Sequence, residues 1–360
     1  MAKVYAGARL RVVKKGRSKS CPHGWLGREG GGFICSKYLK KVSNLPPSSS
    51  PEDAPNLLAG LDAYEVVGPK GPRLYRSLKD LERRRPLITL DRTSTVVVKK
   101  KMEHGGKTYL QTRLGWYLED RQLRKLPAPI DTLGVDIPAG NPPPLGIIIS
   151  DNAKTFASPN SAESIGHLER WSVVELPKNK TGADAVDGKE AWVSLGPDNY
   201  LEDSHIARYR PPPFPRRLAA DERWLAVDVR EQLVHAYEGK RLVRLMPCST
   251  GKRGNTVPGN YRIQWKRRAQ TMRLRQGRIR VEDVQWVMYY HRKQGIAIHS
   301  AYWHHSFGTP VSHGCVNLPH LDARWVFEWT TPGVIATDSE RFPVPGDPGS
   351  RVVVFKKSNW

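Results

Sequence analysis

The apolar positions of this 360-residue chain fall in short runs, rich in β-branched and aromatic residues and broken by turn formers. Runs at 93–98, 107–112 and 191–195, then 224–229 (WLAVDV), 233–238 (LVHAYE) and 242–248 (LVRLMPC), read as strands. Glu238-Gly239-Lys240 reads as a hairpin turn between two of them. Helical spacing marks one exception: Leu321, Trp325, Val326 and Trp329 recur on one face after Pro319, and Pro332-Gly333 stops the run. The pattern predicts a mainly β protein with one helix near its C-terminal end.

Three Pro-rich stretches, 43–55, 127–144 and 210–217, lack periodic apolar pattern and read as linkers or long surface loops. They leave four blocks. The second and third close alike, Gly115-Trp116-Tyr117-Leu118-Glu119-Asp120 against Asp198-Asn199-Tyr200-Leu201-Glu202-Asp203, and the first closes more loosely with Phe33-Ile34-Cys35-Ser36-Lys37-Tyr38. Short strands with a closing Tyr-Leu segment resemble bacterial SH3-like domains, at 62–126 and 146–209, with a small or partial module of the same kind at 1–43. The resemblance implies small barrels that bind or orient on cell-wall polymer; simple spacers are the competing reading.

Charge sharpens the picture. The chain carries 58 Lys and Arg against 35 Asp and Glu, a formal net charge of +23. Such a balance favours anionic partners, and nucleic acid is one candidate class, although no nucleic-acid recognition motif accompanies the charge. No apolar run approaches the roughly 20 residues that span a bilayer, so no transmembrane segment is expected. The first residues show no apolar core of a secretory signal. Four cysteines are too few for a disulfide scaffold. Cys21 and Cys35 either bridge a short Gly-rich loop or sit as two small buried residues. With His23 they lack a clear fourth zinc ligand.

The densest reactive cluster is Ile298-His299-Ser300-Ala301-Tyr302-Trp303-His304-His305, followed after a Gly-Pro loop by Val311-Ser312-His313-Gly314-Cys315-Val316-Asn317-Leu318. A thiol of ordinary pKa is mostly protonated at neutral pH, so a nucleophilic cysteine needs a neighbouring base, here His299 or His313. Gly314 permits a tight turn before Cys315 and leaves backbone N–H groups to face an oxyanion. The helix after Pro319 is expected to lower the thiol pKa through its positive end. A zinc site from His299, His304, His305, His313 and Cys315 is disfavoured, because adjacent His304 and His305 point apart on a strand and no carboxylate lies close in sequence. His291 and His320 are read as surface residues, and Cys248 as a packed apolar group.

His299, twelve intervening residues, then Ser312-His313-Gly314-Cys315-hydrophobic-Asn317 is similar to the signature of the L,D-transpeptidase catalytic domain, also called the YkuD domain. Asp228, Leu233, Tyr237 and Ser249-Thr250-Gly251-Lys252 resemble its opening hairpin and following strand end. In Thr256-Val257-Pro258-Gly259-Asn260-Tyr261 the proline sits one position later than in the usual segment. The resemblance covers 222–356. It implies that Cys315 attacks a carbonyl in a peptidoglycan stem tetrapeptide and forms a thioester. His299 would be the general base, steadied by Ser300, with His313 assisting and the N–H groups of Gly314 and Cys315 as oxyanion hole. An amine acceptor then gives a 3-3 cross-link; water makes the same site a carboxypeptidase or endopeptidase. No metal or organic cofactor is implied, and the setting is the periplasm or cell wall.

Substrate contacts are sought in Ser312, Asn317, Trp303 and Tyr302, and in the stretch 262–280. That stretch has eight Lys or Arg and no acid, and in the family it forms a flap over the site. Arg267, Arg268 and Arg273 are candidates for binding stem-peptide carboxylates. Two competing classes are a charge-driven polyanion or nucleic-acid binder and a catalytically silent wall-binding protein; the intact histidine and cysteine set argues against the latter.

Overall fold

Where the sequence alternates or clusters β-branched residues, the chain is strand. The computed structural model describes residues 12–18, 21–28, 33–35, 62–69, 71–139, 144–177, 192–334 and 338–356. The chain divides into two units, Met1–Asn56 with Val334–Ser339, and Leu57–Gly333 with Glu340–Trp360.

In the first unit, β1 (Val12–Ser18), β2 (Cys21–Arg28) and β3 (Phe33–Cys35) form a three-stranded antiparallel sheet in chain order. Cys21 is buried and disulfide-bonded. The rest of the block at 1–43 and the Pro-rich stretch 43–55 lie outside the described residues.

The second unit opens with β4 (Asp62–Val66), β5 (Arg73–Tyr75), helix α1 (Leu78–Glu82), β6 (Ile88–Thr89), β7 (Thr95–His104), β8 (Lys107–Thr112), β9 (Tyr117–Glu119) and β10 (Leu123–Lys125). Strands β7 and β8 meet at Gly105-Gly106, both at positive φ, as a two-residue hairpin requires. Val66, Leu74, Val96, Val98, Leu110 and Leu118 form the core of this segment. The short helix α1, capped by Ser77 accepting the Asp80 N–H at 3.1 Å, carries too few apolar positions to announce itself in the sequence.

The Pro-rich stretch 127–144 is more than a linker. Its β11 (Val135–Asp136) pairs with a strand of the C-terminal block, and Asp322 accepts from the N–H groups of Leu133 and Gly134 and from Thr132 Oγ1 at 2.7, 3.0 and 2.8 Å. Arg244 closes the clasp at 2.9 Å from Asp322. Beyond it come β12 (Leu145–Ile148), β13 (Ala153–Phe156), β14 (Ser164–Leu168), β15 (Val173–Glu175), β16 (Trp192–Gly196), β17 (Asn199–Glu202) and β18 (Ile206–Arg208). They form a three-stranded sheet, β15-β12-β18, and a four-stranded one, β14-β13-β17-β16.

The C-terminal block is built from β19 (Arg223–Asp228), β20 (Leu233–Glu238), β21 (Arg241–Pro247), β22 (Gly259–Arg262), β23 (Trp265–Leu274), β24 (Ile279–His291), β25 (Ile296–Ser300), β26 (Val316–Leu318), α2 (His320–Trp329), β27 (Glu340–Arg341) and β28 (Arg351–Phe355). One sheet runs β11-β21-β20-β19-β28-β22, with β19 and β28 parallel. Its inner face shares a core with the preceding block, in which Leu145, Ile147 and Ala207 pack with Trp224, Tyr237, Leu245 and Phe355. Phe214, from the third Pro-rich stretch, joins that aromatic group at 5.6 Å from Trp224 and 5.4 Å from Tyr237. Burying such large aromatic surfaces contributes on the order of 2 kcal/mol per side chain.

The second sheet has twelve strands and crosses a boundary that the sequence suggests would separate modules. Its path is β26-β25-β24-β7-β8-β9-β5-β6, joined between β24 and β7 by the parallel bridge of Val281 to Thr95. The basic stretch 262–280 thus forms one arm of the long β23–β24 hairpin, and the hairpin is fastened to the 62–126 segment near its tip. Asp283, at φ +52, bends β24 and accepts a two-pronged ion pair from Arg113, with Nε at 2.8 Å.

Candidate active site

Cys315 stands immediately before β26, two residues ahead of Asn317, and Asn317 is in parallel register with His299 on β25. The predicted helix is present as α2, but Pro319 and the strand β26 lie between it and Cys315. Burial pushes the Cys315 thiol up to about 11, and its S–H points to the Gly295 carbonyl at 3.7 Å. The expected depression of this pKa by the helix is therefore reversed: at neutral pH the resting group is a thiol.

His299 supplies the complementary state. It is 2% exposed, and burial lowers its pKa to about 4, so it is neutral across the physiological range. Its Nδ1–H donates to the Ser300 carbonyl at 2.9 Å, which fixes the tautomer and leaves Nε2 as the basic nitrogen. Trp303 packs beside both groups. Its ring centroid is 5.8 Å from the His299 ring, and it joins Cys315 against the cluster of Val284, Val287 and Ala297.

The loop carrying the thiol is pinned from the segment 249–256. Thr256 Oγ1 accepts the Gly251 N–H at 2.8 Å and donates to the Gly314 carbonyl at 2.7 Å. The Lys252 N–H donates to the Ser312 carbonyl, and Ser312 N–H to the Thr250 carbonyl, each at 3.0 Å. Gly314 lies at φ +151, and a Cβ there would stand 3.2 Å from the Asn255 carbonyl oxygen, so glycine is demanded by conformation and by contact. The sequence exposes the Ser249 to Lys252 motif, but Thr256 gains its importance only from this contact across the fold.

Several expected roles are changed by the geometry. Ser312 Oγ donates to the Cys315 carbonyl at 2.6 Å and accepts the Gly314 N–H at 3.0 Å, so it braces the loop, and the Gly314 N–H is engaged rather than held open for an oxyanion. Asn317 is buried against His304, with 2.8 Å between its amide and Nε2. The amide nitrogen Nδ2 of Asn317 is the atom facing Nε2, and the Ser306 N–H approaches His304 Nδ1 at 3.2 Å. Tyr302 is buried, donates to the Glu282 carbonyl at 2.5 Å and meets Thr95 Oγ1 at 3.1 Å; it packs with Val97 and Leu126 as a joint to the 62–126 segment, not as a substrate contact. His320 is buried rather than on the surface, because it packs against Trp286. Cys248 is buried and free, as expected of an apolar packing group. His313 is exposed beside the site.

The three arginines separate. Arg267 is opposite Val287, a member of the cluster that Cys315 packs against, and bonds Gln270, whose amide reaches Tyr289 of the same cluster; it also lies 3.8 Å from Glu340. Arg268 turns to the other face, 5.9 Å over the Trp286 ring on the α2 side. Arg273 is exposed near the hairpin tip and lines a different cavity. Among the described residues, no group of three or more His, Cys, Asp or Glu side chains is disposed to hold a metal ion, and no helix is long and apolar enough to cross a membrane.

Comparison with known proteins finds a match in the C-terminal block. Residues 222–354 match the family model of the YkuD L,D-transpeptidase catalytic domain. No curated protein matches the chain. Among solved structures, the chain is similar to an L,D-transpeptidase from Xylanimonas cellulosilytica, with 23% identity over 41% of this chain and 65% of that one at a TM-score of 0.29. An L,D-transpeptidase from Stackebrandtia nassauensis shows 22% identity over 40% and 60% at a TM-score of 0.28. One from Mycobacterium tuberculosis shows 19% identity over 44% and 64% at a TM-score of 0.30. The chain thus spans somewhat less than two thirds of the length of these proteins. What the comparisons give is thus a match of residues 222–354, the block that carries His299 and Cys315, to the YkuD L,D-transpeptidase catalytic domain.

Proposed function

We propose that the protein is a cysteine-dependent L,D-transpeptidase that acts on peptidoglycan stem peptides through a thioester acyl-enzyme. The observation that carries the reading is a neutral, tautomer-fixed His299 on β25 and a protonated Cys315 directly before β26, the strand that runs parallel to β25. With the thiol near 11 and the imidazole near 4, a standing thiolate–imidazolium pair is strongly disfavoured in the free enzyme. Activation is therefore coupled to attack. His299 Nε2 takes the thiol proton as Sγ forms its bond to the carbonyl carbon following the L-centre of the third stem residue, meso-diaminopimelate. The Cys315 N–H faces the developing oxyanion. As the amide C–N bond breaks, His299 returns the proton to the departing D-Ala amine, and the acyl group remains on sulfur. An amine of a second stem peptide then attacks the thioester, His299 accepts its proton, and the thiol leaves with a 3-3 cross-link formed. Water in place of the amine gives carboxypeptidase or endopeptidase action.

We assign the contact with a substrate carboxylate to Arg267, a reading supported by its position opposite Val287 of the cluster that packs Cys315, with Glu340 3.8 Å away. The segments 62–126 and 146–209 act as SH3-like wall-binding modules, a reading supported by their short antiparallel strands and the positive charge of the chain. The setting is the cell wall or periplasm. Intact-mass measurement after incubation with a tetrapeptide-stem muropeptide tests the reaction: an adduct of acyl-tripeptide mass is expected on the wild type and none on Cys315→Ala. Absence of the adduct on folded wild-type protein, together with unchanged muropeptide linkages, would refute it.

A further inference from the structure

A cavity of about 690 Å³ opens between the 62–126 segment and the tip of the β23–β24 hairpin, away from Cys315. Three guanidinium groups, Arg76, Arg273 and Arg280, line it together with Trp116, Leu87 and Ile88, and no carboxylate is among its lining residues. Arg280 is 3% exposed and lies 4.2 Å over the Trp116 ring. Its acidic neighbour Glu282 stays 3.9 Å away, and its Nε and Nη2 have no hydrogen-bond partner. A buried guanidinium so poorly satisfied costs several kcal/mol unless another anion completes its shell. Arg278, just outside, is already matched by Asp91 at 2.9 Å.

The other wall is apolar. Leu87 and Leu274 are 37% and 43% exposed at its mouth, beside the indole and Ile88. A ligand that satisfies both walls carries one anionic group on a body with an apolar face, which is the make-up of an acidic sugar: C–H faces pack on aromatic and aliphatic side chains while carboxylate or phosphate meets arginine. The volume lies within the range of small-ligand sites.

We propose that this cavity is a binding site for an anionic saccharide unit, held through its carboxylate or phosphate by Arg76, Arg273 and Arg280 and through its ring by Trp116 and Leu87. Because its walls come from two segments joined by the Val281 to Thr95 bridge, an occupied site ties the hairpin to the 62–126 segment. The site is independent of the reaction at Cys315.

Calorimetric titration of the full chain at low salt tests it, with N-acetylmuramic acid, glucose 6-phosphate, N-acetylglucosamine and inorganic phosphate as probes. The acidic sugars are expected to bind, to perturb tryptophan fluorescence, and to bind unchanged to Cys315→Ala. Neutral N-acetylglucosamine is expected not to bind. The exposed-side substitutions Arg76→Glu and Arg273→Glu, checked for fold by circular dichroism, should each weaken the acidic sugars about tenfold or more. Preference for the carboxylate or the phosphate sugar identifies which anion the site takes. The proposal is overturned if neither acidic sugar binds, if the neutral sugar or inorganic phosphate binds as tightly, or if both charge reversals leave affinity intact.

Discussion

His299 and Cys315 carry opposite perturbations from one cause, because burial disfavours the charged form of each. The acid limb of acylation should therefore follow the lowered histidine, with kcat/KM for adduct formation falling through about pH 4 rather than near the ordinary imidazole value of about 6.5. A limb near 6.5 in a stopped-flow acylation profile would contradict this. His299→Ala should reduce the acylation rate by about a hundredfold to ten-thousandfold, read by the same mass adduct over time. Thr256 is a positioning residue. Thr256→Val leaves the Gly251 N–H and Gly314 carbonyl unmet, so it should lower the acylation rate with little change in KM, and Thr256→Ser should restore it. Equal loss in the serine variant would indicate packing instead of hydrogen bonding.

Among the elements, strands with a clear alternating or apolar pattern and the helix after Pro319 were legible, since each rests on local spacing and a local stop signal. His299 and Cys315 stand out in the sequence because their residue types have few other uses in that order. What the chain order conceals is contact between distant segments. Tyr302 sits close to His299 in sequence yet its hydroxyl is spent on Thr95 and Glu282, and Asn317 turns inward to His304. The 127–144 stretch reads as a linker because its prolines and lack of period are local facts, whereas its clasp depends on a buried aspartate nearly two hundred residues later. That aspartate is fully buried and answers Arg244, so Asp322→Ala should destabilise the protein by about 3 to 5 kcal/mol in denaturant unfolding. A loss below about 1 kcal/mol would show that the clasp is ornamental.

For the whole molecule, the joint between segments holds a titratable carboxyl. Burial raises Glu282 to about 7, with Asp283 adding to the shift while Arg280, the Val97 N–H and Arg113 oppose it. A carboxyl whose pKa is higher in the folded state binds its proton preferentially there. Its contribution is therefore complete below the unfolded value of about 4.3 and is withdrawn as pH rises through about 7. Relative to Glu282→Gln, the wild type should lose stability between about pH 5 and pH 8, measured by thermal or denaturant unfolding. The buried histidines run the other way. His235, His299 and His304, lowered by burial to about 3, 4 and 4, favour the fold above about 6.5 and withdraw that support as pH falls toward 4.

The shared core and the bridge from Val281 to Thr95 bear on how this protein is to be handled. A recombinant fragment starting at residue 222 would retain every signature residue while stripping the cover from Trp224, Tyr237 and Tyr302. Such a truncation is expected to be aggregation-prone and poorly reactive although it retains Cys315, whereas one starting at residue 57 keeps those surfaces dressed.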